Sequence, residues 1–574
     1  MTLFSVWAPD KPVKLHLDGR DHEMEPGDDG WWHADVDSEA VDYGFVLPGQ
    51  DRPLPDPRSP WQPGGVHELS RRYDHSAFAW TDQGWTGRQL PGSVLYELHI
   101  GTFTPQGTFD AAIERLDHLV DLGVDLVELL PVNAFNGIHN WGYDGVCWFA
   151  PHEAYGGPDG LKRFVDAAHA KGLGVVLDVV YNHFGPSGAY APMFAPYLGG
   201  GSNPWGSSIN LDGPGSGEVR RYIVDSVLMW LRDYHIDGLR LDAVHALHDE
   251  GAVHLLEQMA VEVESLSTRV RRPLSLIAES DLNDPKLITP REAGGYGLHA
   301  QWDDDVHHAL HTLLTGERQG YYGDFGSLDC LRTVLEGAFF HAGTWSSFRG
   351  RRHGRPVDRQ RTPGHRFVAF LQNHDQIGNR AVGDRLTATL SPGLLKVAAT
   401  LLLTSPFTPM LFMGEEWAAG SPWQYFTSHP EPDLADAVRN GRRSEFSRHG
   451  WNEADVPDPQ DPATFERSKL DWSELGKPGH AEILDLYRRL IALRRGLPGL
   501  TDPWLHQVEV WHGDQHVVIR RGPSVVVANL AETAQTVSVR ALPRAVLLAT
   551  APGVIVERDR LVLPPESAAV VSVR

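Results

Sequence analysis

Between Val94 and Arg495 the sequence alternates short apolar strand patterns with amphipathic helical ones, and it does so eight times. The strand segments are VLYELHI, DLVELLPV, GVVLDVV, DGLRLDAV, LSLIAESD, LHAQWDDD, FVAFLQNHD and TPMLFMGEE. Between them lie helical stretches such as LKRFVDAAHAKG, VHLLEQMAVEVESL and, last, AEILDLYRRLIALRR. Short, nearly continuous apolar runs are what strands covered on both faces require. Parallel strands must be joined by crossovers, and a helix is the usual crossover. Eight such units in succession predict an α/β fold, a closed (β/α)8 TIM barrel wrapped by its helices. The run FDAAIERLDHLVDLG reads as one helical segment closed by Gly123.

Both ends of the chain depart from this rhythm. Residues 1–88 read as an N-terminal β-sandwich, with FSVWAPD, VKLHLDG, WWHADV and YGFVLPG set between Gly, Pro and Asp turns. Trp31 and Trp32 fit packing inside it better than sugar binding. The proline-rich DRPLPDPRSPWQPGG is expected to lie across the next domain as a linker. The barrel is expected to fill 89–497, and seven β-like segments from VEVWHG onward predict a C-terminal β-sandwich over 498–574.

Composition excludes several classes. A net charge of −24 disfavours nucleic acid and anionic membranes as partners. Two cysteines, Cys147 and Cys330, cannot form a disulfide framework or a zinc cluster, and are expected to stay reduced. MTLFSVWAPD lacks the basic start and long apolar run of a signal peptide, and no stretch of about 20 apolar residues is present to span a bilayer. A cytoplasmic protein is the expectation.

The chemistry lies where polar residues interrupt the apolar strands. In DGLRLDAVH, Arg240 and Asp242 point to the same side of a strand, so the guanidinium can hold the carboxylate ionised. Taken alone this fits a structural ion pair as well as an active group. Asp178 in DVVYNH, Glu279 in IAESD and Asp375 in FLQNHDQIGNR fall at the ends of three other strands. In such barrels reacting groups sit at the C-terminal ends of the strands. Four acids converging on one mouth are costly unless used, which favours catalysis.

Together DVVYNH, DGLRLDAVH, IAESD and QNHD, in this order and spacing, resemble the four short signatures of the α-amylase family of glycoside hydrolases. The resemblance implies a retaining mechanism, in which two carboxyl groups about 5–5.5 Å apart bracket one glycosidic bond. It implies Asp242 as nucleophile, Glu279 as acid/base and Asp375 as the acid that binds sugar hydroxyls. It carries Tyr143, in NWGYDG, with Asp178, His183, Arg240 and His374 into the subsite of the attacked glucose. His183 and His374 would bond hydroxyls there, and Tyr143 would stack on the ring.

Within that family, YELHIGTFT, DVVYNHFGPSG, NPWG, IAESDLNDP, QWDDDVHHALH and FLQNHDQIGNRA resemble the malto-oligosyltrehalose trehalohydrolases over nearly the whole chain. That likeness implies malto-oligosyltrehalose as substrate, cut next to its terminal trehalose, and a malto-oligosyltrehalose synthase as pathway partner. A glycogen-branching enzyme, which transfers glucan to another sugar, is the nearest alternative. A glucan-binding protein on an inactive barrel is another, set against by the retention of all three carboxylates. Two excursions leave the barrel, His183–Gly217 and Trp417 to about Lys477, and both are expected as loops at the active-site mouth. Trp205 in the first, and the second as a whole, are candidates for the trehalose end. The cluster Arg439, Arg442 and Arg443 reads more readily as a solvated or ion-paired surface. His307, His308 and His311 read as one wall helix rather than a metal site, and neither a metal nor another cofactor is expected.

Overall fold

The computed structural model describes residues 2–448 and 455–574. Eight parallel strands close into a barrel: β1 Leu95–Leu98, β2 Leu126–Leu129, β3 Gly174–Val179, β4 Gly238–Leu241, β5 Ser275–Ala278, β6 Ala300–Trp302, β7 Phe367–Phe370 and β8 Thr408–Phe412. Closure comes from β8 pairing with β1, Met410 opposite Leu95 and Phe412 opposite Glu97. These are the eight strand segments expected from the alternation.

The barrel is filled, not hollow. Leu95, Leu126, Val176, Ile277, Ala300, Trp302, Val368, Phe370 and Met410 form one buried cluster. Above this apolar floor the inward positions turn polar, with Glu97, Glu128, Asp178 and Arg240 all buried. The helices that matter for the site are α1 Gly157–Ala170, α2 Ser216–Asp233, α3 Leu255–Val270, α4 Asp304–Thr315, α5 His374–Gly378, α6 Pro392–Leu403, α7 Pro432–Arg448 and α8 Pro478–Gly496.

Antiparallel sheets flank the barrel. At the N-terminus, a three-stranded sheet over Thr2–Trp7, Trp31–Val36 and Glu25–Pro26 accompanies a four-stranded sheet that includes Lys14–Leu17 and Asp42–Val46. Phe4, Val6, Leu15, Leu17 and Phe45 are buried there. Trp31 donates to Glu218 on α2 and Trp32 to the Ala8 carbonyl, so both indoles serve packing. The proline-rich linker crosses α2: Tyr222 donates to the Pro57 carbonyl and Arg58 pairs with Asp225 at 2.8 Å. At the C-terminus a five-stranded and a three-stranded sheet enclose Val518, Val525, Val527, Leu561 and Val571. Among the described residues no helix is long and apolar enough to cross a membrane.

Three expectations are corrected. The segment 109–123 is two helices, Phe109–Ile113 and Leu116–Leu122, because Arg115 leaves helical geometry at φ −105°, ψ −3° and lays its guanidinium over Trp472 at 4.5 Å. Gly123 does close the second, at φ +98°. The excursion 183–217 is not all loop: Leu198–Asn203 pairs with Gly206–Ile209 as a hairpin held by its backbone, so its glycine-rich strands show no side-chain alternation. The excursion 417–477 carries the helix α7, whose one-sided apolar residues, Leu434, Ala435, Ala437 and Val438, are too few among its charges to stand out as a helical stripe. Its residues 449–454 lie outside the described residues.

Candidate active site

The C-terminal ends of the strands open into a cleft of about 530 Å³. Asp242 stands one residue past β4 and Glu279 one past β5. The two strands are in register, Leu241 opposite Ala278, so the two carboxylates leave the barrel wall side by side. Ala243 then takes φ +40°, a left-handed conformation unusual for alanine. This sharp turn aims its N–H at Glu279 Oε2, 2.6 Å away.

Arg240 organises the floor. Its side chain is fully buried, and Nη1 donates to Asp242 Oδ1 at 2.7 Å and to Asp178 at 3.0 and 3.1 Å. Nη2 lies 3.7 Å from Glu279 Oε2. The guanidinium rests on the Trp302 indole at 4.2 Å, a face that favours a cation out of water. One arginine therefore bonds two carboxylates and stands beside a third, Glu279.

His374 and Asp375 begin α5, four and five residues past β7. Asn373 caps this helix through Gln376 N–H at 2.8 Å. His374 Nδ1 donates to Glu97 Oε1 at 2.6 Å, and its backbone N–H donates to Oε2 at 3.0 Å. Tyr143 gives its single hydroxyl proton to Asp178 at 2.6 Å, so at 2.8 Å it accepts from His374 Nε2. Both ring nitrogens of His374 thus carry protons, and the ring is an imidazolium. Burial alone would lower its pKa, but the charges of Asp375 and Glu97 raise it to about 9. The Tyr143 ring stacks on it at 5.1 Å.

Glu279 is pushed the other way from an ordinary carboxylate. Burial, and the negative charges of Asp242 and Asp375, raise its pKa against the pull of Arg240. A carboxyl whose acid form is favoured by burial, beside an arginine-bonded carboxylate, is the pairing that glycosidic cleavage needs. Asp304, at the start of α4, is raised to about 8 by burial and then by Glu279 and Asp375.

Tyr143, His183, Trp205, Asp242, Glu279, His374 and Asp375 all line the cleft. Asp178 and Arg240 do not reach it; they lie behind, 1% and 0% exposed. His183 donates Nε2–H to the Tyr143 carbonyl at 3.0 Å. Trp205, half exposed on its hairpin turn, stacks near His183 at 5.9 Å.

The catalytic-domain model of the α-amylase family matches residues 73–192. The chain is 57% identical to a malto-oligosyltrehalose trehalohydrolase of Rhizobium sp. (strain M-11), covering 99% of this chain and 97% of that one. It is 58% identical to one of Arthrobacter ramosus, covering 92% of each. The chain belongs to the malto-oligosyltrehalose trehalohydrolase family. A crystal structure of a putative α-amylase from Salmonella typhimurium superposes on this trehalohydrolase-family fold with a TM-score of 0.90, at 38% identity over 100% of this chain and 97% of that one.

The trehalohydrolase-family cleft also uses residues that sequence reasoning passed over. Glu97 is one. Asn182 is another, donating Nδ2–H to Asp242 Oδ2 at 2.8 Å and to the Asp242 carbonyl at 3.1 Å. It sits inside the DVVYNH motif, so its position was a signal. Trp302 and Asp304, in WDDD, line the cleft as well, although their motif carries only a strand end and a helix start. Trp423 and Phe426 of the second excursion are fully buried, Trp423 donating to the His374 carbonyl at 3.0 Å. Arg439 pairs with Asp458 at 2.6 Å, whereas Arg442 lines the cleft. His307 bonds the Leu371 carbonyl and Tyr322, and His311 bonds Glu317, while His308 lines the cleft. Among the described residues no group of three or more His, Cys, Asp or Glu is placed to hold a metal ion.

Proposed function

We propose that this chain hydrolyses the α-1,4 bond next to the terminal trehalose of malto-oligosyltrehalose, releasing trehalose and a malto-oligosaccharide. The observation that carries the chemistry is the shared guanidinium: Arg240 lies 2.7 Å from Asp242 and 3.7 Å from Glu279 in one cleft. Membership of the malto-oligosyltrehalose trehalohydrolase family carries the choice of substrate. A malto-oligosyltrehalose synthase would supply that substrate.

The reaction runs in two displacements. Asp242 attacks the anomeric carbon and forms a glycosyl ester while the glycosidic C–O bond breaks. Glu279 delivers its proton to the departing trehalose oxygen. Water then attacks the same carbon, giving its proton to Glu279, and Asp242 leaves as a carboxylate. Asp375 holds sugar hydroxyls, the Tyr143 ring lies along the sugar, and His183 and His374 flank it. Arg240 and Asp178 act from behind: Arg240 bonds and orients the Asp242 carboxylate, and Asp178 holds the Tyr143 hydroxyl in place. Trp205, across the opening, is a platform for the trehalose.

The test is product analysis on malto-oligosyltrehalose with anomers followed by NMR. Free trehalose should appear, with the malto-oligosaccharide first released as its α-anomer. Amylose that gains α-1,6 branches would mark a transferase instead, and a β-anomer first product would remove the ester intermediate.

A further inference from the structure

We infer that the excursion carrying α7 forms the wall for the malto-oligosaccharide chain, with Arg442 and Tyr425 setting chain-length preference at the end of the cleft opposite the trehalose. The inference rests on the reaction proposed above, because that reaction gives the cleft its direction. Glu279 protonates the departing sugar, so the trehalose lies past Glu279. Lining residues there are His245, Asp281, Phe348 and Arg349. Arg349 donates to Asp281 at 2.8 Å, and Trp205 lies 6.3 Å from His245. The attacked glucose sits over His374 and Asp375, and the rest of its chain continues past them.

What stands past them is a file of rings ending in a cation. Trp141 meets His374 edge-on at 5.8 Å, and Tyr425 meets Trp141 edge-on at 5.1 Å. The Arg442 guanidinium lies over Tyr425 at 5.2 Å. All four line the cleft, with Asn379 beside them. Trp141 itself is buried, stacked on Trp423 and donating to the Gln424 carbonyl, so it backs the wall. The surface offered is Tyr425 with the guanidinium of Arg442 over it, an apolar ring beside N–H donors that suits a glucose ring and its hydroxyls.

The wall is tied to the catalytic elements rather than hung from the surface. Arg442 donates to the Gly378 carbonyl on α5, the helix that carries Asp375. Just before α7, Ser428 Oγ accepts from the N–H groups of Ile138 and His139 at 2.8 and 2.9 Å, and Glu431 accepts from Asn136 at 2.8 Å. Those partners belong to the loop that carries Tyr143. A polar helix pinned at both sides of the subsite is preorganised, so its contacts cost little ordering on binding.

The test is kcat/KM on malto-oligosyltrehaloses carrying one to four glucoses beyond the trehalose, for the wild type, Arg442→Ala, Arg442→Lys and Tyr425→Ala. The loss in Arg442→Ala and Tyr425→Ala should grow with chain length, to about tenfold on the longest, and lie in KM rather than kcat. Arg442→Lys should recover part of it. Equal losses at every length, or losses in kcat alone, overturn the inference. If the wild type releases no trehalose, the reaction is wrong, and the wall is then judged by binding of maltotetraose against maltose. Arg442→Ala should weaken the longer sugar selectively, and equal weakening of both overturns the inference.

Discussion

Glu97, on the first barrel strand, holds His374 beyond the seventh strand with both of its oxygens, one on the ring at 2.6 Å and one on the backbone N–H at 3.0 Å. The contact crosses the closure of the barrel and fixes the start of α5, where Asp375 is aimed. Together with the charge of Asp375, it also favours the protonated form of His374. A pKa raised from 6.5 to about 9 favours the folded state at low pH. That stabilisation, roughly 3 kcal/mol, is complete below about pH 6.5 and is lost as pH rises through about 9. Glu97→Gln should remove the share that Glu97 supplies, leaving that of Asp375. Thermal unfolding of the variant should lie several degrees below wild type at pH 6.5, with the gap closing by pH 10. A gap independent of pH would separate Glu97 from the charge on His374.

Asp242→Ala and Glu279→Gln should each lower turnover by about a thousandfold or more without unfolding the chain, as expected for loss of a nucleophile or a general acid. They should differ on an activated substrate. A glycosyl fluoride needs no proton on its leaving group, so Glu279→Gln should form the glycosyl ester from it and accumulate the intermediate. Asp242→Ala should not. Because burial and neighbouring charge raise the pKa of Glu279, the wild type should keep its acid form at a higher pH than an ordinary glutamate would. Activity should fall as pH rises through that raised value. Near-wild-type turnover in either variant would take that residue out of the mechanism.

The acids at strand ends were legible because each interrupts an apolar run whose register is set by burial. Asp178, Asp242, Glu279 and Asp375 announce themselves in this way, and the eight strands were legible by the same contrast. Glu97 interrupts VLYELHI no less, yet its purpose depends on a partner 277 residues away, which no local pattern encodes. The helix α7 was illegible for the opposite reason. Its apolar residues are few beside its many charges, and ion pairs such as Arg439 with Asp458 hold its polar side. Arg442 therefore looked like one more surface charge until the fold brought it to the cleft.

Asn182 fixes the free oxygen of Asp242. Arg240 holds Oδ1 at 2.7 Å, and Asn182 Nδ2 holds Oδ2 at 2.8 Å. Hydrogen bonds to a charged group contribute about 1.5–3 kcal/mol, so Asn182→Ala should cost roughly 10- to 100-fold in kcat. KM should change little, since the amide donates to the carboxylate and to the Asp242 carbonyl rather than to the cleft. Asn182→Asp should be worse, because it sets a like charge against the attacking group. Steady-state kinetics on one malto-oligosyltrehalose decides it, and a loss carried wholly by KM would place Asn182 in sugar binding instead.

At Gly378, α5 packs directly against the indole of Trp141. A Cβ added there would stand 2.0 Å from Cη2 of Trp141 and 2.1 Å from Cζ2, distances that no side-chain relaxation short of moving the indole can relieve. Trp141 is confined in turn, stacked on Trp423 at 5.4 Å and edge-on to His374 at 5.8 Å. Gly378→Ala should therefore destabilise the fold by about 1–3 kcal/mol, the usual cost of overpacking, and lower kcat/KM by displacing Trp141 from the cleft wall. Trimming the partner tests whether this contact is the cause. With Trp141→Leu already in place, the added alanine should cost less stability than it does in the wild type, because the clashing edge is gone. Strictly additive changes in unfolding free energy would mean that Gly378 is required for some reason other than the approach of the indole.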